Sequence, residues 1–173
     1  MGTPAPFHIR DARDDEHAAI RDLTLGAYAI YAELMPPAAW DGLRQALLGA
    51  LAADGPVERM VAEQAGALIG SVLLFPPAAH RDSAGGRMIW PELRLLAVAP
   101  AARGQGVGAA LVAACIARAR ASGVPTLGLY SSDLMSAAVR LYTRLGFARA
   151  PEYDFHPPGG GLVQAFRLTL DSP

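Results

Sequence analysis

The chain has 173 residues, enough for one domain with a substantial hydrophobic core, and just over half of its residues are apolar. Its formal net charge of −1 excludes a general electrostatic attraction to nucleic acid or to an anionic membrane. All 15 basic side chains are Arg, which excludes Schiff-base chemistry by a lysine of this chain and a lysine-containing P-loop.

The first part of the chain predicts strands and two helices. Apolar residues at helical spacing, from Ile20 to Leu34 and from Trp40 to Leu51, predict two amphipathic helices separated by Pro36-Pro37. A tight turn at Ala65-Gly66 predicts a β-hairpin. The predicted strands are 7–10, 57–65, 68–75 and 88–98, with a loop over Pro76 to Arg87 before the last of them.

The second part of the chain predicts two further helices and three strands. A glycine-rich segment after Val98 opens a helix that runs to about Ser122, where Gly123-Val124-Pro125 breaks it. Asp133 is the predicted cap of another helix, which ends at Gly146. The predicted strands are 126–131, 147–155 and 162–170.

The order of these elements, β-α-α-β-β-β-α-β-α-β-β, predicts a mixed α/β fold with residues 1–173 in one domain. Hairpins give antiparallel pairs, whereas the two crossover helices of the second half imply parallel pairing there. We therefore expect a twisted central sheet of about seven strands, parallel and antiparallel, flanked by about four helices.

The segment that bears most directly on function runs from a strand into a helix. Glycines at 104, 106 and 108 bare the backbone where this helix begins. The amides of a first helical turn have no internal partner and lie at the positive end of the helix dipole. The residues therefore predict a site for a phosphate or diphosphate.

The same glycines also fit the loose dinucleotide-binding pattern G-x-G-x-x-G/A, which would indicate a nicotinamide-dependent oxidoreductase. That pattern follows its strand almost at once, whereas residues 99–103 intervene here. Half of the chain also precedes the site. The dinucleotide interpretation is therefore an alternative of lower weight.

Two longer patterns resemble a known family. Residues 96–108, Leu-Ala-Val-x-Pro-x-x-Arg-Gly-x-Gly-Val-Gly, resemble motif A of the GNAT superfamily of N-acyltransferases, with Arg103, Gly106 and Gly108 at the R/Q-x-x-G-x-G/A core positions. Residues 138–147 resemble the same family's motif B, A-x-x-L-Y-x-x-x-G-F. Because the two motifs have the family's order and separation, the resemblance covers nearly the whole chain and implies a single GNAT-like domain.

The resemblance implies acetyl-CoA as the donor. Its pantetheine arm is expected to pair with the backbone of Leu96, Ala97 and Val98 by strand addition. The diphosphate is expected to lie on the loop and first helical turn, which comprise Arg103, Gly104, Gln105, Gly106, Val107, Gly108 and Ala109. The implied reaction is transfer of the acetyl group to a primary amine of a small molecule, peptide or protein in a ternary complex. An alternative is a non-catalytic module of the same fold that binds or senses acyl-CoA.

The resemblance also assigns catalytic candidates. Tyr142 lies where the family has a tyrosine that protonates the leaving thiolate, although its place on an apolar helix face also suits a core aromatic. Glu92, just before the cofactor strand, is the candidate base, and a salt bridge with Arg94 is the alternative role. Many relatives carry Asn where this chain has Met135, so another group, such as Ser131, Ser132 or Asp133, would have to contact the arm.

Several further expectations concern partners and location. Four scattered histidines lack ligand spacing, so we expect no metal site. Cys115 has no partner for an internal disulfide, no signal peptide is recognised, and the longest apolar stretches are too short to span a bilayer, which together favour a cytoplasmic protein. The closing strands are free to pair in a homodimer, which the sequence does not require.

Overall fold

The computed structural model describes residues 6–77 and 89–170. The strands are β1 (His8–Asp11), β2 (Glu58–Gln64), β3 (Ala67–Phe75), β4 (Glu92–Val98), β5 (Thr126–Ser131), β6 (Ala148–Arg149) and β7 (Gln164–Thr169). The α-helices are α1 (His17–Tyr28), α2 (Pro37–Leu51), α3 (Val107–Ala121) and α4 (Ser136–Arg144). This is the element order that the sequence predicts.

The seven strands form one mixed sheet in the order β1-β2-β3-β4-β5-β7-β6. Neighbouring strands are antiparallel except β4 and β5, which are parallel and joined by α3. The prediction that both crossover helices lead to parallel pairs is wrong for α4. The strand that follows α4 is β6, and β7 lies between it and β5.

The tight turn of the predicted hairpin is confirmed, and its geometry explains its sequence. Ala65 and Gly66 have φ values of 50° and 81° between β2 and β3. Two successive residues with positive φ are what a two-residue hairpin turn of type I′ requires, because its twist matches that of the flanking strands. Glycine adopts this conformation without strain, whereas Ala65 is held in it by the pairing on both sides.

Several predicted boundaries differ from the structure. The first helix changes to a 3-10 turn at Ala29–Glu33, and Leu34 is 53% exposed. The fourth helix begins at Ser136, because a 3-10 turn occupies Asp133–Met135. The predicted strand start at Met88 and residues 78–87 of the predicted loop lie outside the described residues.

The strand predicted over residues 147–155 is much shorter than expected. It consists of Ala148–Arg149, a 3-10 turn at Pro151–Tyr153 and a single bridge between Phe155 and Val163. Pro151 begins the 3-10 turn, and a proline has no amide hydrogen to donate to a neighbouring strand.

The helices cover both faces of the sheet. One face packs against α3 and α4 in the main core, which includes Leu111, Leu129 and Tyr142. The other face carries α1, whose Thr24 hydroxyl lies 3.4 Å from that of Ser71 in β3, and α2, which packs on Leu73. In the described ranges 6–77 and 89–170, no helix is long and apolar enough to cross a membrane.

The position of α3 on the sheet depends on one small residue. A Cβ atom at Gly70 of β3 would lie 2.9 Å from both the Val107 and the Leu111 side chains. A heavy atom cannot be accommodated at that distance without moving the helix or the strand. Gly70 therefore lets the first turns of α3 sit directly on the sheet, beside β4.

Candidate active site

Strands β4 and β5 separate soon after they begin. They pair at Glu92 with Gly128 and at Leu93 with Leu129, and the Gly128 N–H donates to the Pro91 carbonyl at 2.9 Å. Both strands belong to the described part of the chain, and neither forms a further pair with the other before Val98 and Ser131. Two diverging parallel edges can accept an extended ligand by strand addition.

A β-bulge accompanies this separation. Leu95 has a φ of 54°, and Leu95 and Leu96 together lie opposite Val72 of β3. A bulge inserts one extra residue and re-aims the strand beyond it, so the Leu96–Val98 segment is displaced from a regular β4 path. The bulge was not predicted. Its signal is that apolar residues alternate up to Leu95, whereas Leu96 directly follows Leu95 and breaks the alternation.

The backbone at the start of α3 is accessible. Gly104 and Gly106 have φ values of 76° and 83°, and a Cβ atom at either would meet no atom within 4 Å. Gly106 is the N-cap of α3, and its carbonyl accepts the Ala110 N–H at 3.0 Å. The amides of the three residues between them therefore lack intrahelical partners. An anion can approach them without a side chain in its way.

The structure brings the two predicted cofactor-binding segments together. The Cβ position of Gly108 lies 3.7 Å from the Val98 side chain, 3.9 Å from that of Leu96 and 3.4 Å from that of Leu141 in α4. The helix is anchored at this point by Val107, which is fully buried. The edge of β4, the start of α3 and the motif B helix thus meet at one place.

The remaining residues of the loop have structural contacts of their own. The Arg103 guanidinium donates to the Ala27 carbonyl at 3.0 Å, which ties the loop to the end of α1. Gln105 donates from its amide to the Ala101 carbonyl at 3.1 Å. Ala97 is buried within β4, and Ala109 is half-buried in the first turn of α3.

Tyr142 lies in the main core beside the end of α4. Its ring packs edge-to-face against Phe147 at 5.9 Å between centroids, and the residue is 5% exposed. Burial raises the pKa of its phenol well above the usual range, with further contributions from Tyr28, Cys115 and Tyr31. A phenol in this environment stays protonated near neutral pH, so it can donate a hydrogen bond or a proton but cannot act there as a phenolate base.

Glu92 is buried at the first position of β4. Arg94 donates to both of its carboxylate oxygens, from Nε at 2.7 Å and from a terminal nitrogen at 2.9 Å, and its guanidinium also lies 4.7 Å from the centre of the Phe75 ring. The salt bridge that the sequence left as an alternative is therefore present. Each carboxylate oxygen keeps a second lone pair, so the bidentate pair does not by itself prevent a further hydrogen bond.

Tyr142 and Glu92 lie on opposite faces of the sheet. Leu93 packs in the same core as Tyr142, whereas Arg94, the partner of Glu92, covers Phe75 in the core under α2. Because side chains alternate along a strand, Glu92 points away from the α4 side. The two candidates can act on a common ligand only through the opening between β4 and β5.

A second group of aromatic residues surrounds the start of β4. Trp90 packs on Tyr153 at 4.9 Å between ring centroids, and Tyr130 contacts Phe155 edge-to-face at 5.2 Å. Trp90 and Tyr153 are half-buried, so they belong neither to the buried hydrophobic core nor to the fully exposed surface. Among the described residues, no group of three His, Cys, Asp or Glu side chains is arranged to hold a metal ion.

Comparisons with known proteins identify the family of this chain. The profile of the acetyltransferase (GNAT) family matches residues 17–147. Mycothiol acetyltransferase from Cellulomonas flavigena is 37% identical over 109 residues, which are 61% of this chain and 31% of that protein. The chain therefore spans about a third of the length of that relative.

Solved structures share the fold across almost the whole chain. The ribosomal-protein-S18-alanine N-acetyltransferase of Escherichia coli superposes with a TM-score of 0.68 at 20% identity, covering 97% of this chain and 96% of that one. The protein yncA of Salmonella typhimurium, solved with its cofactor acetyl-CoA, gives a TM-score of 0.64 at 22% identity, with 96% and 95% covered. These likenesses concern the fold, and the profile match identifies the family. This chain belongs to the GNAT family of acetyltransferases.

Proposed function

We propose that this protein transfers the acetyl group of acetyl-CoA to a primary amine in a ternary complex. The observation that carries the proposal is the opening between β4 and β5, which leads to the uncovered glycine backbone at Gly104 and Gly106 before α3. The free edge of β4 suits an amide-containing arm, and the start of α3 suits a diphosphate. The acetyl-CoA in the yncA structure supports the same choice of donor.

The residues fit this donor. The backbone of Leu96, Ala97 and Val98 would hold the arm, and residues 103–109 would hold the diphosphate through their amides. Positive φ and open space at Gly104 and Gly106 leave room for phosphate oxygens against the backbone. Arg103 would act mainly by fixing the loop, because its guanidinium already binds the end of α1.

Acetyl-CoA, when bound, supplies an activated thioester. The protein must take one proton from the amine and give one proton to the leaving thiolate. We propose that Tyr142 donates one to the departing thiolate sulfur, since its phenol stays protonated and faces the α4 side of the opening. Glu92 would accept the proton that the amine loses, directly or through water, from the opposite face. Backbone N–H groups of β4 would polarise the carbonyl.

The acceptor is proposed only as a class, a primary amine of a small molecule or peptide. The relatives named mycothiol acetyltransferases favour a small molecule as the first compound to test. A homodimer and a cytoplasmic location stay predictions. Since β7 is paired on both sides, a dimer built by the closing strands would have to use the two-residue edge of β6.

The test is release of free CoA thiol when purified protein is mixed with acetyl-CoA and a panel of amines. The panel should contain the amine that mycothiol acetyltransferases acetylate, simple amino sugars and short peptides. Burial raises the pKa of the Cys115 thiol to about 12, so the folded protein adds little to a thiol-reagent signal at neutral pH. Turnover with any amine supports the proposal, and absence of acetyl-CoA binding contradicts it.

A second candidate function is a non-catalytic acyl-CoA-binding module of the same fold. It is favoured by Met135 at a position where many relatives carry Asn, and by the ion pair that engages Glu92. Calorimetry that shows acetyl-CoA binding, together with no turnover across the full amine panel, would select this candidate over the transferase.

A further inference from the structure

Ser131, the last residue of β5, carries an unusual hydroxyl. The residue is 5% exposed, and its Oγ atom is buried without a hydrogen-bond partner in the described part of the chain. Buried hydroxyl groups nearly always have a partner, because leaving one unpaired is unfavourable. Alanine would fill the same position without this penalty, so the hydroxyl requires an explanation.

The place of Ser131 in the sheet suggests one. Its backbone pairs with Gln164 of β7 on one side. On the other side, the last pair with β4 is at Leu129, two residues earlier. Ser131 therefore lies on the part of β5 that borders the opening, beyond the point where the two strands separate.

The direction of its side chain follows from strand geometry. Leu127 and Leu129 belong to the main core under α3 and α4. Since alternate residues of a strand share a face, Ser131 also points to the α4 side, the side on which Tyr142 lies. The Ser131 hydroxyl and the Tyr142 phenol are therefore on the same side of the opening.

We propose that the Ser131 hydroxyl donates a hydrogen bond to a carbonyl oxygen of the acetyl-pantetheine arm. A ligand that adds as a strand beside β5 places its groups next to the side chains of the β5 edge. An amide or thioester carbonyl can accept this hydrogen bond. Counting from the Leu93–Leu129 pair, Ser131 is about level with Leu95, whereas the proposed diphosphate site at Gly104 and Gly106 follows the end of β4 at Val98. We therefore assign the hydrogen bond to the arm. The inference rests on the proposed donor.

The test compares Ser131→Ala with a control, Ser122→Ala. The control also removes a serine hydroxyl, one that donates to the Arg118 carbonyl at 3.0 Å at the C-terminal end of α3, the end opposite the proposed binding site. Binding of acetyl-CoA, CoA and 3′-phospho-ADP, which lacks the arm, is measured by calorimetry. Loss of one net hydrogen bond weakens binding by about threefold to tenfold. We expect Ser131→Ala to show this loss for acetyl-CoA, with 3′-phospho-ADP unchanged and the control unaffected.

The three ligands separate the outcomes. Loss for both acetyl-CoA and CoA assigns the hydrogen bond to an arm amide, and loss for acetyl-CoA alone assigns it to the thioester. Equal affinity of Ser131→Ala and wild type for acetyl-CoA, or equal weakening of 3′-phospho-ADP, overturns the inference. Failure of the wild type to bind acetyl-CoA would instead refute the proposed function.

Thermal stability of the unliganded proteins gives a second readout. Because the hydroxyl has no protein partner, Ser131→Ala should unfold at the same or a higher temperature than wild type. A lower melting temperature would show that the hydroxyl stabilises the fold itself and would overturn the inference.

Discussion

Leu93 and Leu129 are the last residues that pair β4 with β5. Beyond them, a bulge at Leu95 shifts the register of β4 against β3, and β5 continues to Ser131 beside β7. The opening is therefore a property of both strands rather than of a loop. We propose this opening as the place where donor and acceptor meet, with Tyr142 acting from one face of the sheet and Glu92 from the other.

Replacing Gly106 with alanine should weaken acetyl-CoA binding by at least tenfold, because the new methyl group would occupy part of the open space that we assign to the diphosphate. The residue has a φ of 83°, so the substitution should also lower the free energy of unfolding by about 1–2 kcal/mol. Gly123→Ala at the other end of α3 is the matched control, since Gly123 has a φ of 71° and equally open surroundings. Similar binding losses in both variants would contradict the assigned site.

Replacing Tyr142 with phenylalanine should lower kcat by about a hundredfold or more, because the proton donor to the thiolate is lost. The ring and its contact with Phe147 are retained, so the affinity for acetyl-CoA and the melting temperature should stay close to wild type. Steady-state kinetics and calorimetry check the two parts separately. The control is Tyr31→Phe, which removes the hydroxyl of a half-buried tyrosine. A normal kcat in the Tyr142→Phe enzyme would show that another group is the acid.

Replacing Glu92 with glutamine should lower kcat with little change in acetyl-CoA affinity, because the neutral amide can still accept a hydrogen bond but cannot take the amine proton. The same change leaves the mostly buried Arg94 guanidinium without its carboxylate, and stability should fall by up to about 3–5 kcal/mol. Arg94→Gln breaks the same ion pair but keeps the carboxylate. If the two variants lose equal activity at equal stability, Glu92 acts through the ion pair and is not the acceptor of the proton.

The stability of the domain should depend on pH through Glu16. This buried carboxylate accepts hydrogen bonds from the Arg10 guanidinium and the Arg13 backbone N–H, which lower its pKa from the ordinary 4.5 to about 2. A depressed folded-state pKa stabilises the fold above the unfolded value, and this contribution is lost as pH falls from 4.5 towards 2.

Glu16→Gln should therefore reduce the free energy of unfolding near neutral pH by about 1–3 kcal/mol and flatten its decline in acid. Denaturant titrations across this pH range measure both effects. The exposed Asp15, changed to Asn, is the control and should leave the acid dependence unaltered. An unchanged acid slope in Glu16→Gln would assign the effect to other carboxylates.

Much of the fold follows from local patterns. The apolar periodicity of α2 and the turn residues Ala65-Gly66 predict a helix and a hairpin, because these depend on neighbours in the chain. The two longer motifs identify the family, and this family membership argues against the dinucleotide interpretation of Gly104 to Ala109. Local patterns failed where a distant strand decides the outcome, as where β7 lies between β5 and β6 and prevents the parallel pair predicted across α4.

The sequence by itself determined which residues can leave the backbone amides uncovered and which side chains can donate or accept a proton. Glycines at 104 and 106, a tyrosine at 142 and a carboxylate at 92 are fixed by residue type before the chain folds. Only the tertiary structure decided that Tyr142 and Glu92 lie on opposite faces, that Arg94 holds Glu92, and that the Ser131 hydroxyl is buried without a partner. These relationships arise from the register of β4 between β3 and β5, and register is set by long-range pairing and packing.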